Sequence, residues 1–200
     1  ITCLLFTLSS AMAQANEETH HKISGEITAL NSPMLSEKFF GASIVFKYYP
    51  WQHFATGLYI AGSGKSFNNT FSFPILRPSV SYYEIGWINQ FDVIHENKFS
   101  AGLNVTNGYA SAQLDDDAKQ EQHSSVKGGY TYTSAVIATN NYYVIEPGID
   151  LSYNIFSGND SPHIGAKATM KYKCMFGKSE FASEKSFSGC VLGLGIVVEI

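Results

Sequence analysis

The chain has 200 residues, 14% of them aromatic and only 15% charged, with a formal net charge of -4. Typical soluble domains carry about 25% charged residues. The acidic balance and the absence of a basic block exclude nucleic acid as a partner. Beyond the first residues no apolar run reaches the ~18 residues a spanning helix needs, so a membrane protein of this composition must cross with strands.

Ile1 to Leu8 is an apolar run of signal-peptide length, followed by the small-x-small sites Ala11-Met12-Ala13 and Ala13-Gln14-Ala15. No basic segment precedes it, so the natural start is expected upstream. Residues 1–15 are read as a signal peptide and 16–200 as one β-barrel domain. An N-terminal membrane helix is the alternative, but Asn16-Glu17-Glu18 follows at once. Cys3 lies too early to be a lipidated cysteine at the cleavage site.

From Ile23 onward the dominant period is two, the signature of strands with one apolar and one polar face. Ile23, Gly25, Ile27 and Ala29 alternate with Ser24, Glu26 and Thr28. A second strand, about 41–49, sets Ala42, Ile44, Phe46 and Tyr48 against Ser43, Val45 and Lys47. A third runs from about Phe54 to Gly64. A fourth, about 80–93, sets Tyr83, Ile85 and Trp87 against Tyr82, Glu84 and Gly86. The fifth covers about 99–109, the sixth about 142–156, the seventh about 164–175 and the eighth about 185–200.

The connections alternate between short and long. Short turns are expected at 50–53, 94–98 and 157–162, and longer polar stretches after strands one, three, five and seven. The longest stretch is about Ala110 to Asn141. Even strand number with short turns at one end and long loops at the other is the pattern of bacterial outer-membrane barrels. The fold expected is therefore all-β, a closed antiparallel up-and-down transmembrane barrel of eight strands, with ten as the alternative. Tyr130 to Thr139 also alternates weakly. It is read as loop or as an extension of strand six above the bilayer. A soluble sandwich or lipocalin-like barrel with the faces inverted is the rival fold.

Lys47-Tyr48-Tyr49-Pro50-Trp51 with Phe54 and Gly57-Leu58, Glu146 to Tyr153, and Gly193-Leu194-Gly195 resemble the strand–turn–strand units of small outer-membrane proteins of the OmpA and OmpX kind. The resemblance is one of pattern and spans the mature chain. It implies an outer-membrane location, and the short–long alternation with an even strand count puts both termini in the periplasm. Many such barrels end in an aromatic residue, whereas this sequence ends in Ile200, so either the insertion signal differs or the sequence stops short. Within these residues no peptidoglycan-binding domain follows the barrel.

The inward-facing charges are the most informative side chains. Glu26, Lys47, Glu84, Glu146, Asp150, Lys167, Lys171 and Glu199 all fall on the polar face. An eight-stranded barrel is only wide enough for side chains to fill, and charges buried there must pair. A polar network that plugs the barrel is expected; a narrow ion path or gate is the alternative. No cofactor or metal site is expected. His53, His95 and His163 fall at different turns, and His20-His21 lacks a partner carboxylate. His123-Ser124-Ser125 has the spacing of a lipid A deacylase pair but lies in a hydrophilic loop. Gly62-Ser63-Gly64-Lys65-Ser66 lacks the spacing of a phosphate loop.

Aromatics near the short turns (Tyr49, Trp51, Phe54, Phe91, Phe99, Tyr153, Phe156) are expected to form an interfacial girdle. Cys174 and Cys190 fall on the apolar face of the last hairpin. An exported compartment permits a disulfide between them; two separate thiols are the alternative. The function expected is non-enzymatic, structural or borne on the outer loops. The partners expected are outer-membrane lipid and an envelope or surface protein, with the chain acting as a monomer or accessory subunit. A subunit of a larger outer-membrane assembly is the runner-up, and a lipid-acting enzyme comes third.

Overall fold

The computed structural model describes residues 22–68, 71, 74–96, 98–124, 130–158 and 161–200. The signal-peptide reading and His20-His21 lie outside these residues. Eight strands follow in chain order: β1 Lys22–Met34, β2 Glu37–Trp51, β3 Phe54–Ser66, β4 Pro78–His95, β5 Phe99–Ser124, β6 Tyr130–Gly158, β7 Ser161–Lys178 and β8 Gly189–Glu199. A single turn of helix, α1 (Glu184–Phe187), precedes β8. Each strand pairs antiparallel with the next, and β1 pairs with β8 to close the ring. Closure leaves no free edge within the ring, which is the condition for strands to lie in lipid.

The two-residue period sorts side chains as the sequence implies. Ile27, Ile85, Leu103, Leu194 and Ile196 point outward and are exposed, Leu194 by 71%. Glu26, Glu84, Glu146, Asp150 and Lys47 point inward and are buried to 3% exposure or less. This rules out the soluble barrel with inverted faces, because the charges are inside and the aliphatic belt outside. Trp51, Phe91, Phe99, Tyr153 and Phe156 are exposed near the short turns. Tyr49 is not part of that girdle. It is buried on the inward face, where the Lys22 ammonium lies over its ring. A second set of exposed aromatics, Phe40, Tyr83, Tyr109, Tyr143, Tyr172 and Phe176, lies toward the opposite end.

Three connections differ from expectation. The link after strand one is a two-residue turn, because Leu35 and Ser36 both adopt positive φ (54° and 61°). That mirror-image turn geometry matches the twist of a tight hairpin, and it lets β1 and β2 extend to Met34 and Glu37. The long stretch from Ala110 to Asn141 is mostly strand. Ser111 to Ser124 pairs with Tyr130 to Asn141, so the Tyr130–Thr139 segment extends strand six beyond the barrel. Register shifts at Leu114/Asp115 and Asp116/Gln120 mark bulges at the root of this extension. Finally, residues 184–187 form α1, and the last strand begins only at Gly189.

Candidate functional site

The barrel interior holds two ionic clusters built from alternate residues of facing strands. In the first, the Lys47 ammonium donates to Glu26 and, at 2.6 Å, to Gln90 Oε1. Lys167 bridges Glu26 Oε2 at 2.6 Å and Asp150 Oδ2 at 2.8 Å. Lys47 also lies 3.9 Å from Asp150, so two ammonium groups and two carboxylates share one chamber. Gln90 continues the chain by donating to Asp92 Oδ1 at 2.5 Å. Where β1 starts and β8 finishes, Lys22 pairs with Glu199.

The second cluster centres on Lys173. Its Nζ donates to Glu84 Oε2 and to Tyr82 Oη, both at 2.9 Å, and lies 3.3 Å from Glu146 Oε1. Lys171 reaches Thr106 Oγ1 at 3.0 Å and Glu146 Oε2 at 3.5 Å. Both lysines stack on inward tyrosines, Lys171 at 3.9 Å from the centre of Tyr59 and Lys173 at 4.2 Å from that of Tyr82. Gly148 makes room for this packing. A Cβ there would stand 2.6 Å from Lys171 Cγ and 2.8 Å from the Met170 carbonyl.

All eight charged residues expected inside are there, with Glu199 at the rim. Other interior groups of the clusters stood outside that set, among them Lys173, Tyr82, Gln90 and Asp92. Their signal was present, since each continues the inward period of its strand. Tyr59, which lies under Lys171, follows the same period, between the outward Leu58 and Ile60.

The mouth at the end away from Lys22 and Glu199 is different in kind. Met34, Phe39, Val80, Leu114, Tyr142, Val144, Met175 and Phe187 form a buried apolar cluster above the ionic ones. Phe67, Phe71, Ile75 and Phe181 from the connections at that end pack against it. The rings contact in series, Phe39–Phe67 at 5.8 Å, Phe67–Phe71 at 5.3 Å, Phe71–Phe181 at 6.0 Å and Phe181–Phe187 at 5.9 Å. The helix turn α1 exists to carry Phe187 into this cap, where it also meets Tyr142 at 5.5 Å. Asn140 and Tyr142 both donate to the Ala182 carbonyl, and Asn140 accepts from the Glu180 amide, which pins the β7–β8 connection over the mouth.

Asp116 fixes the neighbouring connection to the root of the β5–β6 extension. Its carboxylate is fully buried and accepts the backbone N–H groups of Arg77 and Ala118 at 3.1 Å and of Leu76 at 3.5 Å. Burial alone would raise its pKa, but those amides and Lys119 outweigh it and hold the carboxyl below the usual aspartate value. Asp115 beside it is shifted the other way, by burial and then by the Asp117 charge.

Among the described residues no group of three or more His, Cys, Asp or Glu side chains is placed to hold a metal. His53 lies at a turn against Phe91, and His163 opposite Glu199, on separate hairpins. His123 and Ser124 end β5, while Ser125 lies outside the described residues. Cys174 and Cys190 are free thiols. Cys190 faces Tyr172 across the β7–β8 ladder, two residues out of step with Cys174. Diagonal neighbours of that kind stand about 7–8 Å apart, too far for a bridge, which corrects the expected disulfide.

No family model matches the sequence, and no curated protein matches it. Solved structures do. The attachment invasion locus protein Ail of Yersinia pestis is 12% identical, with a TM-score of 0.52 over 92% of this chain and 100% of that one. Ail also gives a crystal structure in complex with the heparin analogue sucrose octasulfate, similar to this chain at a TM-score of 0.51 and 13% identity over 90% of this chain and 97% of that one. Neisserial surface protein A is 11% identical, with a TM-score of 0.50 over 90% of this chain and 96% of that one. At such identities the shared property is the fold, and the chain is an eight-stranded transmembrane β-barrel resembling the small outer-membrane barrels of the OmpA and OmpX kind.

Proposed function

We propose that this protein is a non-enzymatic outer-membrane barrel whose role is borne by its outer connections, with the termini in the periplasm. The observation that carries this reading is the distribution of chemistry. The wall is apolar outward, and the lumen is filled by paired charges. The outer mouth is stopped by packed aromatics. Such a lumen offers neither a water path nor a cleft for a substrate, because an eight-stranded interior is filled by its own side chains. The water-exposed surface that remains is the rim, and above all the β5–β6 extension, held upright by Asp116. The short turns, the start of β1 and the end of β8 lie together at the opposite end, with Ile23 and Ile200 exchanging backbone hydrogen bonds at 2.9 and 2.8 Å.

The role of the interior network under this reading is to close the barrel and fix its register. Lys47, Lys167 and Lys173 each join carboxylates on two other strands: Lys167 on β7, for one, meets Glu26 on β1 and Asp150 on β6. A one-residue slip would turn these charges toward lipid. The test is fractionation of expressing cells, followed by electrophoresis with and without heating. The protein is expected in the outer-membrane fraction, migrating differently once heated, with protease on intact cells cutting only in the outer connections. Recovery as a soluble periplasmic monomer would refute the proposal.

A further inference from the structure

Above the barrel the β5–β6 hairpin has two unequal edges. The ladder between β6 and β7 stops at Asn141 and Lys178, so among the described residues no strand lies beside 130–140 of β6 on that side. The ladder between β4 and β5 stops at Pro78 and Asp116, with one further bond from the Asp117 amide to the Arg77 carbonyl. The β5 edge beyond it carries Asp117, Lys119 and Glu121, whereas residues 130–141 of β6 (YTYTSAVIATNN) contain no charge and no proline. Natural proteins blunt a free edge with charges, proline or bulges. Here the blunting charges stand on β5 alone, and the bulge at Ile137 lies at the base of the β6 edge.

We propose that the free β6 edge pairs antiparallel with the same edge of a second copy of this chain held in a facing membrane. The proposal rests on the reading of the hairpin as projecting outward. An antiparallel pair of identical strands is self-complementary, with the same patch used on both copies. On β6 it meets no opposed like charges. On β5, pairing about Lys119 would set Asp117 against Glu121 and Lys119 against itself, which is unfavourable. Direction decides where the partner sits. Copies in one membrane all point their β6 strands the same way, so antiparallel pairing within that membrane is forbidden. A copy in an opposed membrane points the other way and fits. The same restriction lets an open edge exist without side-to-side aggregation.

Phosphatidylcholine vesicles carrying the folded protein test this. Light scattering is expected to report clustering of wild-type vesicles that protein-free vesicles do not show. Thr133→Lys with Val136→Lys adds like charges to the edge and is expected to abolish clustering. Thr133→Glu with Val136→Glu is expected to do the same. Mixing the Lys vesicles with the Glu vesicles is expected to restore it, since opposite charges then meet. Dispersed wild-type vesicles, Lys vesicles that cluster like wild type, or a mixture that fails to recover would each overturn the proposal. Heat-modifiable migration, measured on the same vesicles, separates failure of the edge from failure of the barrel reading.

Discussion

Replacing Lys167 by Met removes one charge from a chamber that holds two ammonium groups and two carboxylates. Lys167 contacts Glu26 at 2.6 Å and Asp150 at 2.8 Å and is itself 5% exposed. The variant keeps the volume of the side-chain stem but leaves Asp150 with Lys47 at 3.9 Å as its remaining cation. Removing one partner of a buried pair costs about 3–5 kcal/mol, since the other charge stays desolvated. Against a total stability of about 5–15 kcal/mol, that is a large fraction. With a urea slope of about 2 kcal/mol/M, the unfolding midpoint should fall by roughly 2 M. The assay is urea unfolding in detergent or lipid, read by the loss of the unheated electrophoretic form. Adding Asp150→Asn to Lys167→Met removes both charges and should recover part of the loss, giving a coupling of more than about 1 kcal/mol in the double-mutant cycle. A shift in Lys167→Met below about 0.3 M, or additive single losses, would refute a paired, desolvated interior.

Reconstituted wild-type protein should give no reproducible single-channel steps in a planar bilayer, because apolar cap and ionic filling both block the lumen. Phe187→Ala should cost about 3 kcal/mol or more, the usual loss for an aromatic deleted from a packed cluster, and should make residues 179–188 sensitive to protease. Asp116→Asn should speed amide exchange at Leu76, Arg77 and Ala118 about tenfold, as charge-assisted bonds become neutral ones. The folded carboxyl of Asp116 sits below the ordinary 3.8. Its anchoring is thus fully present above that pH and is lost as pH falls through the folded value, so wild-type protection of these amides should fade only in that acid range. Unfolded, unreduced protein should show both Cys174 and Cys190 reactive to a thiol reagent; a bridged pair would contradict the offset seen across β7 and β8.

Alternation made most of the barrel readable. A period of two placed Glu26 inside and Ile27 outside without any structural information, and Lys47, Lys167 and Glu84 followed by the same rule. What alternation could not supply was the end of each strand. Leu35 and Ser36 carry no turn signature, since neither is the Gly or Asn that positive φ favours, and so the first hairpin appeared to have a long loop. The acidic run Asp115-Asp116-Asp117 resembled solvated loop, yet one of its members is buried by backbone amides of a segment nearly 40 residues away. The aromatic cap was illegible for the same reason. Phe67, Phe71, Phe181 and Phe187 sit in connections without periodicity, and only the closure of the ring brings them together over one mouth. The cysteines failed on register: sharing the outward face of neighbouring strands did not make them opposite each other.

The most direct test of the account is a spin-label scan along β8 in lipid, with Cys174 and Cys190 first changed to Ser. Labels at Leu192, Leu194, Ile196 and Val198 should show high accessibility to dissolved oxygen, as lipid-facing sites do. Labels at Val191, Gly193, Gly195 and Val197 should be protected, as sites pointing into a filled lumen. Alternation of the opposite phase, or equal accessibility at all eight positions, would contradict a closed barrel with its charges inside.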